Sequence, residues 1–368
     1  MNTLIQAGDL KDKKVLLRVD FDVPVSDKGQ ILETFRIEKQ KETIDYLVNQ
    51  GAKVVMVAHI SSVDSFRDLI PQLHILTGYE INFLKTIEEI PSCVEHYAGL
   101  ALLDNIRKFP GEMENDEAFA LKLSNGFDVY VNNAFAVCHR EHASVSAVAK
   151  LLPSYAGFLI EQEITQLEEA IKAQKEGKII VMGGAKAATK VPVIKNFLDK
   201  ANKILIGGVI ANDILKAKGQ DVGNSVVDDN AGELLTGLDL ARPELVMPKD
   251  YNISENKMLD IGPEAIKEFS EIIKNSKMII WNGPMGMFED DKFAKGTKAI
   301  AGAIADSSAR KVIGGGDTIS AVDKFGLGGK FDPSTSSGQA FLSTGGGAML
   351  MFLAGKKLPG LVALNYYA

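Results

Sequence analysis

Residues 312–318 read Val-Ile-Gly-Gly-Gly-Asp-Thr, and residues 343–348 repeat the theme as Ser-Thr-Gly-Gly-Gly-Ala. Each glycine run follows a short apolar or β-branched stretch and precedes a segment that can form a helix. This order predicts a strand, a tight turn and a helix, in which backbone N–H groups face an anion at the positive helix end. The aspartate cannot bind phosphate itself, but its carboxylate can hold the Mg²⁺ that accompanies phosphate.

Three more apolar runs are followed by segments that contain glycine. Residues 178–186 read Lys-Ile-Ile-Val-Met-Gly-Gly-Ala-Lys, residues 277–286 read Lys-Met-Ile-Ile-Trp-Asn-Gly-Pro-Met-Gly, and residues 204–208 read Ile-Leu-Ile-Gly-Gly. Runs without polar alternation predict strands buried on both faces of a parallel sheet that helices cover. Ligands of such sheets bind beyond the carboxyl ends of the strands. One glycine-rich turn is often only a turn, but several in one half of the chain predict a nucleotide site.

Two lysines and two missing motifs narrow the kind of nucleotide site. Lys186 and Lys190 are four residues apart, so on a helix they would share one face. The chain contains no G-x-x-x-x-G-K-[ST], which argues against a P-loop. It also contains no G-x-G-x-x-G after a predicted strand, which argues against a dinucleotide-dependent dehydrogenase.

Seven segments, in their order along the chain, resemble the signature motifs of phosphoglycerate kinase. They span nearly the whole sequence and are 18–24 (RVDFDVP), 102–107 (LLDNIR), 134–144 (AFAVCHREHAS), 183–186 (GGAK), 281–286 (WNGPMG), 314–317 (GGGD) and 343–348 (STGGGA). The resemblance implies an α/β fold of two doubly wound parallel-sheet domains that a long helix and hinge join.

The strand pattern divides the chain in the same way. Residues 14–19, 53–58, 101–103 and 129–131 are predicted strands, with a crossover helix at 43–50, and helical spacing follows over 158–176. We expect a phosphoglycerate-binding domain at 1–155, completed by a tail at 356–368 that the resemblance implies. An interdomain helix at 156–177 and a nucleotide-binding domain at 178–355 complete the chain, with a small-residue surface loop at 332–339.

Bulk composition fits this organisation. A chain of 368 residues, with 46% hydrophobic and 24% charged residues, is long for one core and predicts two globular domains. The sequence has no stretch of ~20 apolar residues and no signal peptide at its start, so we expect no membrane partner. Two cysteines suit a reducing compartment, and a net charge of −7 disfavours nucleic-acid binding. We expect a cytoplasmic monomer with small-molecule substrates.

A local basic cluster must then attract anionic substrates. Arginine suits the task because its planar fork matches carboxylate and phosphate and stays charged. By resemblance, Arg36, Arg107 and Arg140 bind phosphoglycerate, and Asp20, Asp22, His59 and His142 also lie at the site. Arg18 is interpreted as a neighbour without such support.

Cys138, His139 and His142 also form a Cys-His-x-x-His pattern that zinc could accept. No second ligand pair follows at a suitable spacing, so an anion contact from His142 is the preferred interpretation.

The implied reaction is reversible transfer of the acyl phosphate of 1,3-bisphosphoglycerate to Mg·ADP, giving 3-phosphoglycerate and ATP. Such transfer needs positioning and positive charge more than covalent participation, and it requires domain closure that expels water. Arg36 and Lys190 would act on the moving phosphoryl group, with the backbone of Gly345 and Gly346 stabilising developing charge. Asp317 would hold Mg²⁺. The other expected nucleotide contacts are Lys186, Asn282, Glu289, Gly183, Gly184, Gly314, Gly315, Gly316 and Thr318.

Several positions depart from the family pattern. Asp22 stands where asparagine is usual, and Ser62 where an arginine follows the histidine. Asn133 and Ala136 replace an aspartate and a glycine, Thr189 replaces the aspartate before the catalytic lysine, and Val209 replaces a third glycine. The segment from 61 to about 99 is also shorter. A nucleotide-binding relative with an altered or lost acid substrate is therefore the alternative, and a hydride-transfer enzyme is a distant third.

Overall fold

A computed structural model describes residues 1–96, 99–331 and 340–368. The chain forms two compact units: a first unit, Met1–Ile164 with Lys357–Ala368, and a second unit, Thr165–Lys356. The division falls inside the helix Phe158–Lys172, which ends four residues before the predicted end at 176. The loop predicted at 332–339 lies outside the described residues.

The strands of both units are mostly formed by short apolar segments of the sequence. They are β1 Lys14–Arg18, β2 Lys53–Val57, β3 Ile81–Leu84, β4 Leu100–Leu103, β5 Val129–Asn132, β6 Ser154–Ala156, β7 Lys178–Met182, β8 Lys203–Ile206, β9 Leu245–Val246, β10 Tyr251–Ser254, β11 Lys257–Ile261, β12 Met278–Asn282, β13 Arg310–Gly314 and β14 Ala340–Ser343.

The helices lie between and after these strands. They are α1 Phe35–Glu38, α2 Lys41–Asn49, α3 Ile70–Thr77, α4 Ile90–His96, α5 Glu117–Ser124, α6 Phe158–Lys172, α7 Ala187–Phe197, α8 Gly208–Ala217, α9 Ala231–Leu235, α10 Pro263–Lys274, α11 Lys295–Asp306, α12 Gly316–Lys324, α13 Gly328–Phe331, α14 Gly347–Leu353 and α15 Pro359–Ala363. Short 3-10 turns occupy Leu4–Ala7, Arg67–Leu69, Ile87–Glu89, Ile106–Lys108, Phe135–Val137, Val148–Lys150 and Asp291–Phe293, with a π-helical turn at Ala143–Ala147. None of the helices in the described part of the chain combines the length and apolar character that crossing a membrane requires.

Each unit is built on a six-stranded sheet in which every neighbouring pair is parallel. The strand order is β3-β4-β2-β1-β5-β6 in the first unit and β14-β13-β12-β7-β8-β9 in the second, and β10-β11 form a separate antiparallel hairpin. The predicted fold class, two doubly wound parallel-sheet α/β regions, is confirmed.

Burial on both faces explains the uninterrupted apolar runs. In β1, Val15 and Leu17 enter one core of the first unit, whereas Leu16 enters the core on the opposite face. Successive strand side chains point to opposite faces, so a sheet covered twice needs apolar residues at every position. In β12, Ile279 and Trp281 belong to one core of the second unit, and the intervening Ile280 is also fully buried.

The strand orders also fix where ligands can bind. In the first unit the order reverses between β1 and β5, and in the second unit between β7 and β12. Loops on either side of such a reversal run apart and leave a crevice at the carboxyl edge of the sheet. The segments starting at Val19 and Asn133 flank the first crevice, and those starting at Gly183 and Gly283 flank the second.

Candidate functional site

The first unit gathers most of its predicted site residues beyond strand carboxyl ends. Asp20 and Asp22 follow β1, His59 follows β2, Arg107 follows β4, and Arg140 and His142 follow β5. Because these strands are parallel neighbours, their loops lie at one edge of the sheet. Arg36 comes from α1 and also reaches this edge, because its guanidinium Nη1 donates to the Asp22 carbonyl at 3.1 Å. We call Arg18, Arg36, His59, Arg107, Arg140 and His142 the basic cluster.

Arg18 is the centre of this cluster, although the sequence suggested only a neighbour. It is fully buried, its Nε donates to Ser144 Oγ at 3.0 Å, and its Nη2 lies 3.3 Å from His59 Nδ1. Its Nη1 donates to the carbonyls of Val19 and Val57. The sequence signal for its burial was its position at the end of the apolar strand β1, where four of five residues are buried. Its hydrogen bonds compensate the cost of burying the charge.

The buried His59 pairs with the half-buried Asp22. His59 Nε2 lies 3.2 Å from Asp22 Oδ2. Burial lowers the pKa of His59, and the neighbouring Arg18 charge lowers it further, so the imidazole is neutral near pH 7. Since Arg18 can only donate, Nδ1 accepts from Arg18, and Nε2–H donates to Asp22. Burial alone would raise the pKa of Asp22, but hydrogen bonds from His59 and Ser61 bring it well below its ordinary range.

Arg36 is also held by acidic partners. Besides donating to the Asp22 carbonyl, its Nη1 lies 3.6 Å from Asp20 Oδ2. Asp20 is buried, with 1% of its surface exposed, whereas the Arg36 side chain keeps 26% of its surface exposed. Asp20 therefore orients the guanidinium while one side of it stays open to a ligand.

Arg107 and Arg140 lie close enough to oppose each other's charge, and His142 lies beside them as an imidazole that is uncharged near pH 7. Arg107 Nη1 donates to Ser61 Oγ at 3.2 Å, but its buried Nε and Nη2 have no hydrogen-bond partner among the described residues. Burial lowers the pKa of Arg107, and the Arg140 charge adds to this. Burial and then the same two arginines lower the pKa of His142 to about 4. Repelling cations with orphaned donors are the environment that a bound anion relieves.

Glu112 is a site residue that sequence reasoning missed. It is fully buried, and its carboxylate accepts from the Ser144 N–H at 2.8 Å and the Ser144 hydroxyl at 2.7 Å. Burial raises its pKa although Arg18 opposes the change, and its Oε1 lies 3.8 Å from His142 Nδ1. The Gly-Glu at 111–112 lies between motifs and gave no local signal for burial.

The zinc alternative finds no support in the geometry of its sulfur ligand. The Cys138 thiol is fully buried against Asn132 Nδ2 and the Ala134 carbonyl, and burial raises its pKa to about 12. A zinc ligand must be a thiolate, so this environment opposes metal binding. Among residues 1–96, 99–331 and 340–368, no group of three His, Cys, Asp or Glu side chains could hold a metal ion.

In the second unit the site is made mostly of backbone. Gly183 N–H donates to Asn282 O at 3.0 Å, and Gly184 N–H donates to Pro284 O at 2.7 Å, so the loops after β7 and β12 pack against each other. A Cβ on Gly183 would overlap the Pro284 carbonyl, so only glycine fits there.

Asn282 and Thr318 tie the next loop into this arrangement. Asn282 Nδ2 donates to Gly314 O, and the Thr318 hydroxyl accepts from Gly283 N–H, each at 2.7 Å. Gly315 has φ 104, and a Cβ there would lie 2.7 Å from Asn282 Nδ2. Asn282 and Thr318, both predicted to contact the nucleotide, therefore also hold the loops together. Gly345 is partnered too, because its N–H donates to Ser343 Oγ at 3.0 Å.

The two lysines do not share a helix face, and that prediction is wrong. Lys186 lies before α7 in the left-handed conformation, with φ 67, because the chain must turn sharply between β7 and the helix. Lys186 is exposed, whereas Lys190 on α7 is 7% exposed and donates from Nζ to the Ala185 carbonyl. Burial lowers the pKa of Lys190 to about 8, although the negative charges of Asp317 and Asp228 oppose the fall.

A cleft of about 350 Å³ opens beside these loops. Its walls are largely apolar and include Val209, Tyr251 and Met287, while Glu289 and Asp317 supply carboxylates. Asp317 lies in the first turn of α12 and is exposed. An apolar cleft with carboxylates at its edge and glycine loops beside it can accept a base, a ribose and a metal-bound phosphate.

A parallel α/β chain with orphaned arginine donors in one unit and a glycine-bordered cleft in the other has the features of a kinase of small anionic substrates. The sequence pattern that defines phosphoglycerate kinase matches residues 5–356. The chain is 38% identical to the phosphoglycerate kinase of Rubrobacter xylanophilus, covering 97% of this chain and 96% of that protein. It is 40% identical to that of Prochlorococcus marinus, with 97% and 96% covered. The solved phosphoglycerate kinase of Pyrococcus horikoshii OT3 superposes with a TM-score of 0.85 at 31% identity, covering 99% and 98% of the two chains.

The chain therefore belongs to the phosphoglycerate kinase family. By homology over its full length it is a phosphoglycerate kinase, a transferase of glycolysis with a two-domain α/β fold.

Proposed function

We propose that this chain transfers the acyl phosphate of 1,3-bisphosphoglycerate directly to ADP, in line and after domain closure. The bond between phosphorus and the acyl oxygen breaks, and a β-phosphate oxygen of ADP forms the new bond to that phosphorus. 3-Phosphoglycerate leaves as a carboxylate, so the transfer step needs no proton. Such chemistry depends on positioning and charge stabilisation, which are what the two units offer.

The pair of orphaned donors on Arg107 is the observation that carries the acid-substrate assignment. Nε and Nη2 are buried without a partner among the described residues, and Arg140 adds positive charge to the same region. An unpaired buried donor costs about 1–3 kcal/mol, so a bound anion that accepts from it gains that energy. Phosphoglycerate, with a phosphate at one end and a carboxylate at the other, supplies acceptors for several cations of the basic cluster.

Arg36 and Lys190 are the proposed catalytic cations. Arg36 is oriented by Asp20 yet stays partly exposed, and Lys190 is desolvated at the start of α7. Both charges are fixed before reaction, so they stabilise charge on the moving phosphoryl group without reorganisation. Gly346, at the start of α14 with φ 48, is proposed to stabilise the same charge through its backbone. Gly345 would join it by turning its N–H from Ser343 Oγ to the phosphoryl group.

The nucleotide assignments rest on the cleft. Glu289 would accept from the ribose hydroxyls, Lys186 would bind a nucleotide phosphate, and the glycine loops would line the phosphates. Asp317 is an exposed carboxylate in the cleft wall, and Mg²⁺ in kinases takes one or two carboxylates with the substrate phosphates, so the residue fits the ion. When bound, Mg²⁺ would neutralise phosphate charge.

A coupled assay with 3-phosphoglycerate and Mg·ATP tests the proposal. Turnover together with binding of 3-phosphoglycerate in calorimetry supports it. Binding of Mg·ATP without either result contradicts the acid-substrate assignment. The cytoplasmic location and the monomeric state stay predictions.

A nucleotide-binding relative with a different acid substrate is the second candidate. Asp22 favours it, because this carboxylate lies within the basic cluster and lowers its net positive charge. A panel of small phosphorylated and unphosphorylated acids in the same assay distinguishes the two candidates.

A further inference from the structure

Two carboxylates on the far side of the loop that carries Lys186 are not used by the reaction described above. Asp213 lies on α8 and is fully buried, and Asp228 lies in the segment that follows this helix. Asp213 Oδ1 accepts from the Asp228 N–H at 2.8 Å. Asp228 Oδ2 accepts in turn from the Ala187 N–H at 2.7 Å.

Ala187 is the first residue of α7, so the Asp228 carboxylate caps the helix that carries Lys190. The first N–H groups of a helix have no partner within it, and a carboxylate there is favoured by the helix dipole. Lys186 cannot supply this cap, because its φ of 67 is left-handed and its side chain carries no acceptor. The helix is therefore capped by Asp228, which lies 41 positions from Ala187 in the sequence.

The left-handed turn at residue 186 makes such a cap important. A non-glycine residue with positive φ is held in place only when its surroundings determine it. Two bonds fix Gly184, two residues before the turn: its carbonyl accepts from Val209 N–H, and its N–H donates to the Pro284 carbonyl. Asp228 fixes the residue that follows, so the turn is held on both sides.

The sequence shows why this chain needs a carboxylate from elsewhere. Thr189 occupies the position before Lys190 where the family pattern has an aspartate, and its hydroxyl donates to the Lys186 carbonyl at 2.9 Å. Thr189 thus adds no negative charge near the lysine. Asp228 and Asp317 are the two carboxylates that raise the pKa of Lys190 against the effect of its burial.

We propose that Asp213 and Asp228 form a brace that positions Lys186 and Lys190 for the nucleotide phosphates. Asp213 holds the backbone of residue 228, and the Asp228 carboxylate holds the start of α7. Both are positioning residues, since they act through the Ala187 N–H and the turn before it. The inference rests on the proposed phosphate contacts of the two lysines.

The test compares Asp228→Ala, which removes the acceptor, with Asp228→Asn, which keeps an oxygen that can accept from Ala187. Asp229→Ala is the matched control, because Asp229 is the exposed neighbour. For Asp228→Ala we expect kcat to be about tenfold lower and KM for ADP to be severalfold higher. Changes of this order are what the loss of one charge-assisted hydrogen bond would cause. KM for the acid substrate should stay within about twofold. Asp228→Asn should retain activity within about threefold of the parent, because the hydrogen bond can still form.

Asp213→Ala is measured alongside and should show the same pattern with a smaller change, and circular dichroism with thermal melting verifies folding. The proposal is overturned if Asp228→Ala behaves like Asp229→Ala. It is also overturned if Asp228→Asn loses as much as Asp228→Ala, or if KM for both substrates rises equally. Calorimetry of Mg·ADP decides the matter without turnover: weaker binding to Asp228→Ala supports the brace, and unchanged binding contradicts it. A parent protein that binds Mg·ADP but does not turn over would instead overturn the proposed function.

Discussion

The basic cluster of the first unit and the glycine loops of the second are built by different means. In the first unit side chains make the site, and Arg18 alone connects Ser144, His59 and the backbone carbonyls that follow β1 and end β2. In the second unit the backbone makes it, through bonds such as Gly184 N–H to Pro284 O. Such a site tolerates no side chain at Gly183 or Gly283, because a Cβ at either position would overlap a backbone carbonyl oxygen. A site made of side chains can instead gain or lose individual charges through single substitutions.

The departures from the family pattern show the same contrast. At the basic cluster, Asp22 and Ser62 stand where asparagine and arginine are usual, and both substitutions lower the positive charge. At the glycine loops, Gly183, Gly184 and Asp317 are retained, although Val209 replaces one glycine. Thr189 changes a side chain whose charge Asp228 can supply. The glycine loops are therefore constrained mainly by shape, and the basic cluster by a sum of charges.

The largest expected effect is on the nucleotide side. Asp317→Ala should abolish Mg²⁺-dependent transfer and leave the fold intact, because Asp317 is exposed and its proposed role is that of a metal ligand. The measurement is turnover against Mg²⁺ concentration, with thermal melting. Asp323→Ala, an exposed change on the same helix, is the control. Near-parental turnover of Asp317→Ala at saturating Mg²⁺ would show that Asp317 is only a turn residue.

Arg36→Ala and Lys190→Ala test the proposed catalytic cation of the first and of the second unit. Each should lower kcat on the order of 10²–10³-fold and change KM less, because both charges act chiefly on the transition state. Steady-state kinetics with both substrates varied measures this, with Lys39→Ala as a control beside Arg36. If either variant changes KM alone, that residue binds ground-state substrate only.

The double variant Asp22→Asn with Ser62→Arg probes the missing charge of the basic cluster. A charge-assisted hydrogen bond contributes about 1.5–3 kcal/mol, so KM for 3-phosphoglycerate should fall by about tenfold or more, while KM for ATP barely moves. Arg67 does not supply this charge, because its guanidinium lies over the Phe83 ring, 4.8 Å from the centroid.

The single variants Asp22→Asn and Ser62→Arg show how much each change contributes to the lower KM for 3-phosphoglycerate. The Asp22 carboxylate is engaged by His59 and by the Ser61 N–H, so Asp22→Asn alone should give less than Ser62→Arg alone. If no variant improves use of 3-phosphoglycerate, and calorimetry detects no binding of it to the parent, the substrate assignment fails.

The smallest expected effect concerns His142 and pH. Its pKa is about 4 in the folded protein against an ordinary 6.5, since burial and two arginines oppose protonation. The unfolded chain thus binds more protons between these values, and His142 costs stability as pH falls from 6.5 toward 4. His142→Asn should lose less unfolding free energy than the parent between pH 7 and 4.5. Urea unfolding measures this, with the exposed His74→Asn as control. Equal losses in all three proteins would contradict the assignment.

Sequence periodicity predicted the long central strands well and the short edge strands poorly. β1, β2, β4 and β5 start within one residue of the predicted positions, because both faces of these strands are buried and their interior positions are hydrophobic. β3 and β6 gave no comparable signal, because edge strands such as Ser154–Ala156 are short and only partly buried. Pairing with a neighbour, rather than local propensity, makes these segments strands.

The sequence by itself determined the fold class, the positions of the glycine loops and the family. Buried parallel strands and close backbone approach demand particular residues at particular spacings, so the sequence displays them directly. Only the tertiary structure decided which charges meet: Arg18 at the centre of the basic cluster, Glu112 behind His142, and Asp228 at the start of α7. Such partners lie far apart in sequence, and a hydrogen bond between side chains depends on position in space rather than on any local pattern.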